Sequence, residues 1–168
     1  GPDLQKRLVS AEELEVRWIE TRSATELEVY PDIVAIARGV IGEAFSERVI
    51  TPGATTTDDV FWYIRERFEE LNLRPWFQPY VNVQRRGVIH AKAAPFFGEA
   101  STIIRRGDVL HTDVGICYLR LCTDTQEMGY VMPLGQEQVP QGLVRALEVG
   151  NRWQDQLTGN FVQGDTGN

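Results

Sequence analysis

The residues best placed to do chemistry together are Asp113 and Asp124, eleven positions apart in the run His111-Thr-Asp-Val-Gly-Ile-Cys-Tyr-Leu-Arg-Leu-Cys-Thr-Asp-Thr125. Its two apolar stretches read as a β-hairpin turning near Tyr118-Leu119, which sets Asp113 directly opposite Asp124 on one face. Directly opposed Cβ atoms lie about 4.5–5.5 Å apart, so two carboxylates there repel one another. The apolar flanks Val109, Leu110, Val114 and Ile116 add a desolvation penalty. A divalent ion, or two about 3.5–4 Å apart, turns that liability into a ligand set and generates hydroxide near neutral pH. Spacing alone leaves a plainer reading open. Aspartates are common at strand ends and turns, Asp124 stands between two threonines, and the turn lacks the Asn-Gly that a two-residue hairpin favours.

Other side chains cluster nearby. His111 is two residues from Asp113 on the same strand and shares its face, so it either supports the carboxylate by hydrogen bonding or is a partly buried core histidine. Cys117 and Cys122 are too few for a disulfide framework; they read as two small buried hydrophobes, with an adventitious metal or redox role as the alternative. Trp18, Trp62, Trp76 and Trp153 are expected as core or interface anchors.

The elements that must carry these residues follow from pattern. Ser10-Ala-Glu-Glu13 and Ser23-Ala-Thr-Glu26 are capping boxes that predict helix starts. After the second, Ile33, Val34, Ala37, Val40, Ile41, Ala44 and Phe45 form a helical stripe, with Pro31 expected in its first turn. Thr56 with Asp59 caps a third helix presenting Val60, Phe61, Ile64, Phe68 and Leu71. The texture then changes: Trp76 to Val83 alternates as a strand, and Arg85-Arg-Gly87 breaks it. Arg106-Gly107-Asp108 turns into a strand over Val109–Val114; further strands are expected at about 119–123 and from Glu127 to Met132. A last helix spans about 141–157 with Leu143, Leu147, Trp153 and Leu157. Helices, then antiparallel strands, then a helix make the fold class α+β.

With 168 residues, the chain is long enough for one domain with a real core. Its net charge of −7 carries no Lys/Arg block, which argues against a nucleic-acid partner. No apolar run approaches the roughly 18 residues of a membrane span. Gly1-Pro2 reads as a protease-cleavage scar, so residues 1–9 are expected to be scar and lead-in and residues 10–168 the folded part.

Asp113-Val-Gly115 followed by Thr123-Asp124-Thr125 resembles the D-x-G…(S/T)-D-(I/T) signature of the pita-bread metallopeptidases. These include methionine aminopeptidases, aminopeptidase P, prolidase and creatinase. Arg105-Arg-Gly-Asp-Val-Leu110 and Ile50-Thr-Pro-Gly-Ala-Thr-Thr56 are similar to motifs flanking that signature, and the likeness leans to the Xaa-Pro peptidase branch. The resemblance implies the N-terminal part of a pita-bread domain, an antiparallel sheet backed by helices. It also implies exopeptidase action on a peptide substrate by a hydroxide bridging two divalent ions (Mn, Co, Zn or Fe). Asp113 would chelate one ion and Asp124 bridge both, and His90 would contact the substrate ahead of the first Asp. The family's remaining ligands, a His and two Glu, lie further downstream than the 44 residues that follow Asp124. The chain alone is therefore expected to be incomplete and inactive. An uncovered apolar face would favour a homodimer. The alternative is a non-catalytic pita-bread domain that binds peptide or protein.

Overall fold

Side-chain caps start the two helices that build the core. In this computed structural model, which describes residues 3, 6–88, 101–162 and 164, the helices are α1 (Glu12–Glu20), α2 (Ala24–Ala44), α3 (Thr57–Glu70) and α4 (Gln141–Gly159). At α2 the Ser23 hydroxyl accepts from the Glu26 N–H at 3.3 Å, while the Glu26 carboxylate accepts from the Ser23 N–H at 2.7 Å. Thr56 and Asp59 make the same reciprocal pair at α3. These bonds hold the Glu26 and Asp59 carboxyls below their ordinary range. The expected box at Ser10 does not form. Ser10 Oγ instead accepts from the Glu12 N–H at 3.2 Å, and α1 starts without a side-chain cap on its Ala11 N-cap.

Helix α2 buries Ile33, Ala37, Val40, Ile41 and Ala44, and α3 buries Val60, Ile64 and Phe68, the stripes that periodicity marked. Each large apolar side chain removed from water there contributes about 1.5–3 kcal/mol. Pro31 departs from expectation. Because α2 starts at Ala24, the proline is inside the helix and deprives the Leu27 carbonyl of its i→i−4 donor.

Six short strands follow: β1 (Arg74–Pro75), β2 (Tyr80–Gln84), β3 (Val109–Val114), β4 (Ile116–Tyr118), β5 (Leu121–Cys122) and β6 (Thr125–Tyr130). They pair antiparallel as two sheets, ordered β2-β3-β6 and β1-β4-β5. β2 starts four residues later than alternation suggested, because Trp76 leaves the strand pattern and donates its N–H to the Gly115 carbonyl at 2.8 Å.

Leu110, Thr112 and Val114 point into the core beneath the helices, whereas Val109, His111 and Asp113 take the other face. The helix side is fixed by α2: Arg38 Nε donates to Glu127 on β6 at 2.7 Å, and the Phe45 ring packs on Gly129, where a Cβ would meet it at 2.9 Å. The turn into β3 is pinned by Asp108, which is 1% exposed. Arg85 grips it with two 2.7 Å bonds, and the Arg105 N–H adds a third at 2.7 Å. The four tryptophans are not core residues: Trp18, Trp62, Trp76 and Trp153 are 84%, 56%, 55% and 64% exposed.

Candidate metal centre

β3–β4 and β5–β6 are one antiparallel ribbon that keeps a single register while passing from one sheet to the other. The turn falls at Leu119-Arg120, with φ of 50° and 68°. It takes the left-handed geometry of a two-residue hairpin without the Asn-Gly that signals one. That is one residue later than the sequence suggested, so every cross-strand partner moves by two. Asp113 lies opposite Gln126, not Asp124. Continuing the register across the bend sets Gly115 opposite Asp124, and the two aspartates become diagonal neighbours. A shift of two preserves the face, which is why they still meet.

Gly115 is required at the bend. A Cβ there would lie 2.5 Å from the Phe77 ring and 2.6 Å from the Thr123 carbonyl oxygen. Opposite this bare position Asp124 lies near enough to Asp113 for the two carboxyls to act on one another electrostatically. Buried Thr123 fixes the backbone just before Asp124: its N–H donates to the Ile116 carbonyl at 2.8 Å, and its Oγ1 accepts from the Ile116 N–H at 3.2 Å.

The pair is asymmetric. Asp113 is half-buried and its Oδ1 is enclosed without a hydrogen-bond partner, whereas Asp124 is exposed. Burial raises Asp113 above its ordinary carboxylate value; the neighbouring Asp124 carboxyl raises it further, and His111 opposes the shift. His111 donates from Nε2 to Gln126 Oε1 at 3.0 Å rather than to Asp113, and the Tyr80 ring meets the imidazole edge-on at 6.1 Å. Asn82, opposite His111, donates from Nδ2 to Tyr80 Oη at 3.1 Å and keeps a buried Oδ1. Tyr80, Asn82 and Gln126 are thus polar neighbours that sequence reading missed, although the alternation of β2 and β6 puts them on the Asp113 face. His90 lies outside the described residues.

A buried carboxylate oxygen with no donor is unfavourable unless a cation meets it. Two neighbouring carboxyls, one enclosed and one open, fit a hard divalent cation that takes oxygen ligands. They leave most coordination positions to other donors; among the described residues no group of three or more His, Cys, Asp or Glu could hold an ion.

Cys117 and Cys122 face each other in the register and are joined as a disulfide, correcting the reading of two independent small hydrophobes. The later turn is the reason, since it makes them direct cross-strand partners.

A family model for metallopeptidase family M24 matches residues 31–158. Among solved structures, a prolidase from Thermococcus sibiricus is similar over 87% of this chain and 37% of its own, with TM-score 0.65 and 18% identity. An X-Pro aminopeptidase from Thermotoga maritima is similar over 84% of this chain and 37% of its own, with TM-score 0.62 and 17% identity. An Escherichia coli aminopeptidase P variant covers 78% of this chain and 29% of its own, with TM-score 0.56 and 17% identity. These likenesses share the α+β arrangement of a partial pita-bread domain, and the chain spans well under half the length of each. Comparison with curated proteins found no match.

Proposed function

We propose, from the premise that this chain belongs to metallopeptidase family M24, that it contributes the first carboxylate ligands of a metal-dependent exopeptidase acting near the N-terminus of peptides. The observation that carries the reading is the enclosed, unpartnered Asp113 oxygen with a second carboxyl as its diagonal neighbour in the register. Similarity to an X-Pro aminopeptidase and a prolidase favours the Xaa-Pro type over other exopeptidases.

Asp113 and Asp124 would help to hold two divalent ions. When bound, such ions polarise the scissile carbonyl and acidify water toward neutral pH. The chain's own residues set the frame. Thr123 and Gly115 fix the backbone on both sides of the bend that brings the two carboxyls together. Gln126 holds the His111 ring beside Asp113, leaving Nδ1 free of that bond. Asp124 is on the open, solvent-exposed side of the pair. Two carboxylates are short of a complete ligand set, so the chain by itself would bind metal weakly and hydrolyse no peptide.

Titration calorimetry with Mn²⁺ or Co²⁺ tests the assignment on the wild-type chain, Asp113→Asn and Asp124→Asn. Wild type is expected to release heat that either variant reduces at least tenfold in affinity. Equal heats from all three would falsify the claim that the pair is a metal site.

A further inference from the structure

We propose that Cys117 and Cys122 form a thiol–disulfide exchange site, and that its redox state governs how firmly the Asp113–Asp124 pair is held. The second part rests on the metallopeptidase reading; the first does not.

Position carries the argument. The bridge joins directly opposed residues of β4 and β5. In the shared register it is the next rung beyond Gly115 and Asp124 on the same face, and only Thr123 separates Cys122 from Asp124. The hairpin outside it is slight: Tyr118 of β4, Leu121 of β5, and between them a turn of two non-glycine residues at positive φ. Its tip is in solvent, with Tyr118 and Leu119 50% and 66% exposed, and both cysteines are only half-buried. A reductant therefore has access from the tip.

Each half of the bridge is also anchored to a different part of the fold. Tyr30 of α2 donates its hydroxyl to the Cys122 carbonyl at 2.9 Å, whereas Cys117 pairs with Arg74 of β1. With the bridge closed, the two anchors are one body. With it open, the Thr123–Ile116 hydrogen bonds still join β4 to β5, but the Asp124 backbone loses its nearest covalent cross-tie.

The partner is a dithiol. One of its thiolates attacks a bridge sulfur, the S–S bond breaks, and the other cysteine leaves as thiolate and takes up a proton. The dithiol's second thiolate then displaces the mixed disulfide. The protein gains two electrons and two protons, and the reagent becomes its disulfide. The oxidised reagent drives the reverse reaction.

The test equilibrates the full chain across ratios of reduced to oxidised dithiothreitol, followed by alkylation and mass measurement. The expected pattern is zero or two alkyl groups per chain, interconverting reversibly in one two-electron step. Two groups on chain prepared without reductant would overturn the exchange site. Amide exchange is the second arm: reduction should speed exchange at residues 121–124 and leave Leu110 and Val114 unchanged, and equal protection in both states counts against the tie. The third arm is Mn²⁺ calorimetry on oxidised chain, on reduced chain freed of dithiothreitol, and on Cys117→Ser/Cys122→Ser. About tenfold weaker binding without the bridge is expected, and equal affinity would refute the coupling. If even oxidised chain binds no Mn²⁺, the metal reading fails, while the first two arms still decide the exchange site.

Discussion

Asp113 is a carboxyl that the fold prefers protonated. Burial and the neighbouring Asp124 raise it, so the metal-free folded chain binds this proton more tightly than the unfolded chain does. Its contribution to stability is then best at acidic pH and declines as the pH rises from the ordinary carboxylate range through the raised value. Asp113→Asn stays neutral throughout. In chelator, melting curves between about pH 4 and pH 8 should show the variant gaining on wild type as pH rises, while metal binding is lost. A constant difference across that range would argue against an uncompensated charge at this position. The capping carboxyls behave oppositely: Glu26 and Asp59 are lowered, so their contribution is present at neutral pH and fades only as pH falls through those lowered values. At this scale the sequence set Asp113 and Asp124 near one another and was wrong about which residues face them. The Asp-Val-Gly and Thr-Asp-Thr runs named the pair, but which residue faces Asp113 depended on a turn that no residue type announced.

The ribbon is the element on which the site depends, and Gly115 is where it bends. Gly115→Ala should destabilise the chain by about 2 kcal/mol, because one of the two clashing neighbours is a backbone oxygen that cannot rotate away. Denaturant unfolding measures this, and a loss well below that figure would mean the ribbon yields more readily than its packing implies. The disulfide closes a loop of only a few residues, so its entropic contribution is limited to about 2 kcal/mol. Elements with strong local signals were legible: the α2 and α3 stripes, the Thr56 cap and the strand from Val109 to Val114. Others were decided by tertiary contacts. Leu119 and Arg120 have no intrinsic preference for positive φ, and Pro31 stays helical because the capping box starts α2 a full two turns earlier. The core half of the expectation for the tryptophans failed for a related reason, since apolar character says what a side chain would prefer to touch, not what is there to cover it.

On the molecule as a whole, α4 buries none of its residues, and Leu147, Trp153 and Leu157 are 65%, 64% and 48% exposed along it. Such a stripe favours self-association, opposed by a net charge of −7. Sedimentation velocity should show concentration-dependent association that strengthens with salt and is abolished by Leu147→Glu/Trp153→Glu. A wild-type chain that stays monomeric at high concentration and salt would rule this out. The bond from Tyr30 to Cys122 has a different consequence, one of kinetics. It spans 92 residues, and the nearby Arg38–Glu127 pair spans 89. Closing such loops is entropically slow, whereas a hairpin of this size zips up in about 1–10 μs. The ribbon can therefore form early and wait, and its Leu110, Thr112 and Val114 face is covered only when the long helix finally lands on it.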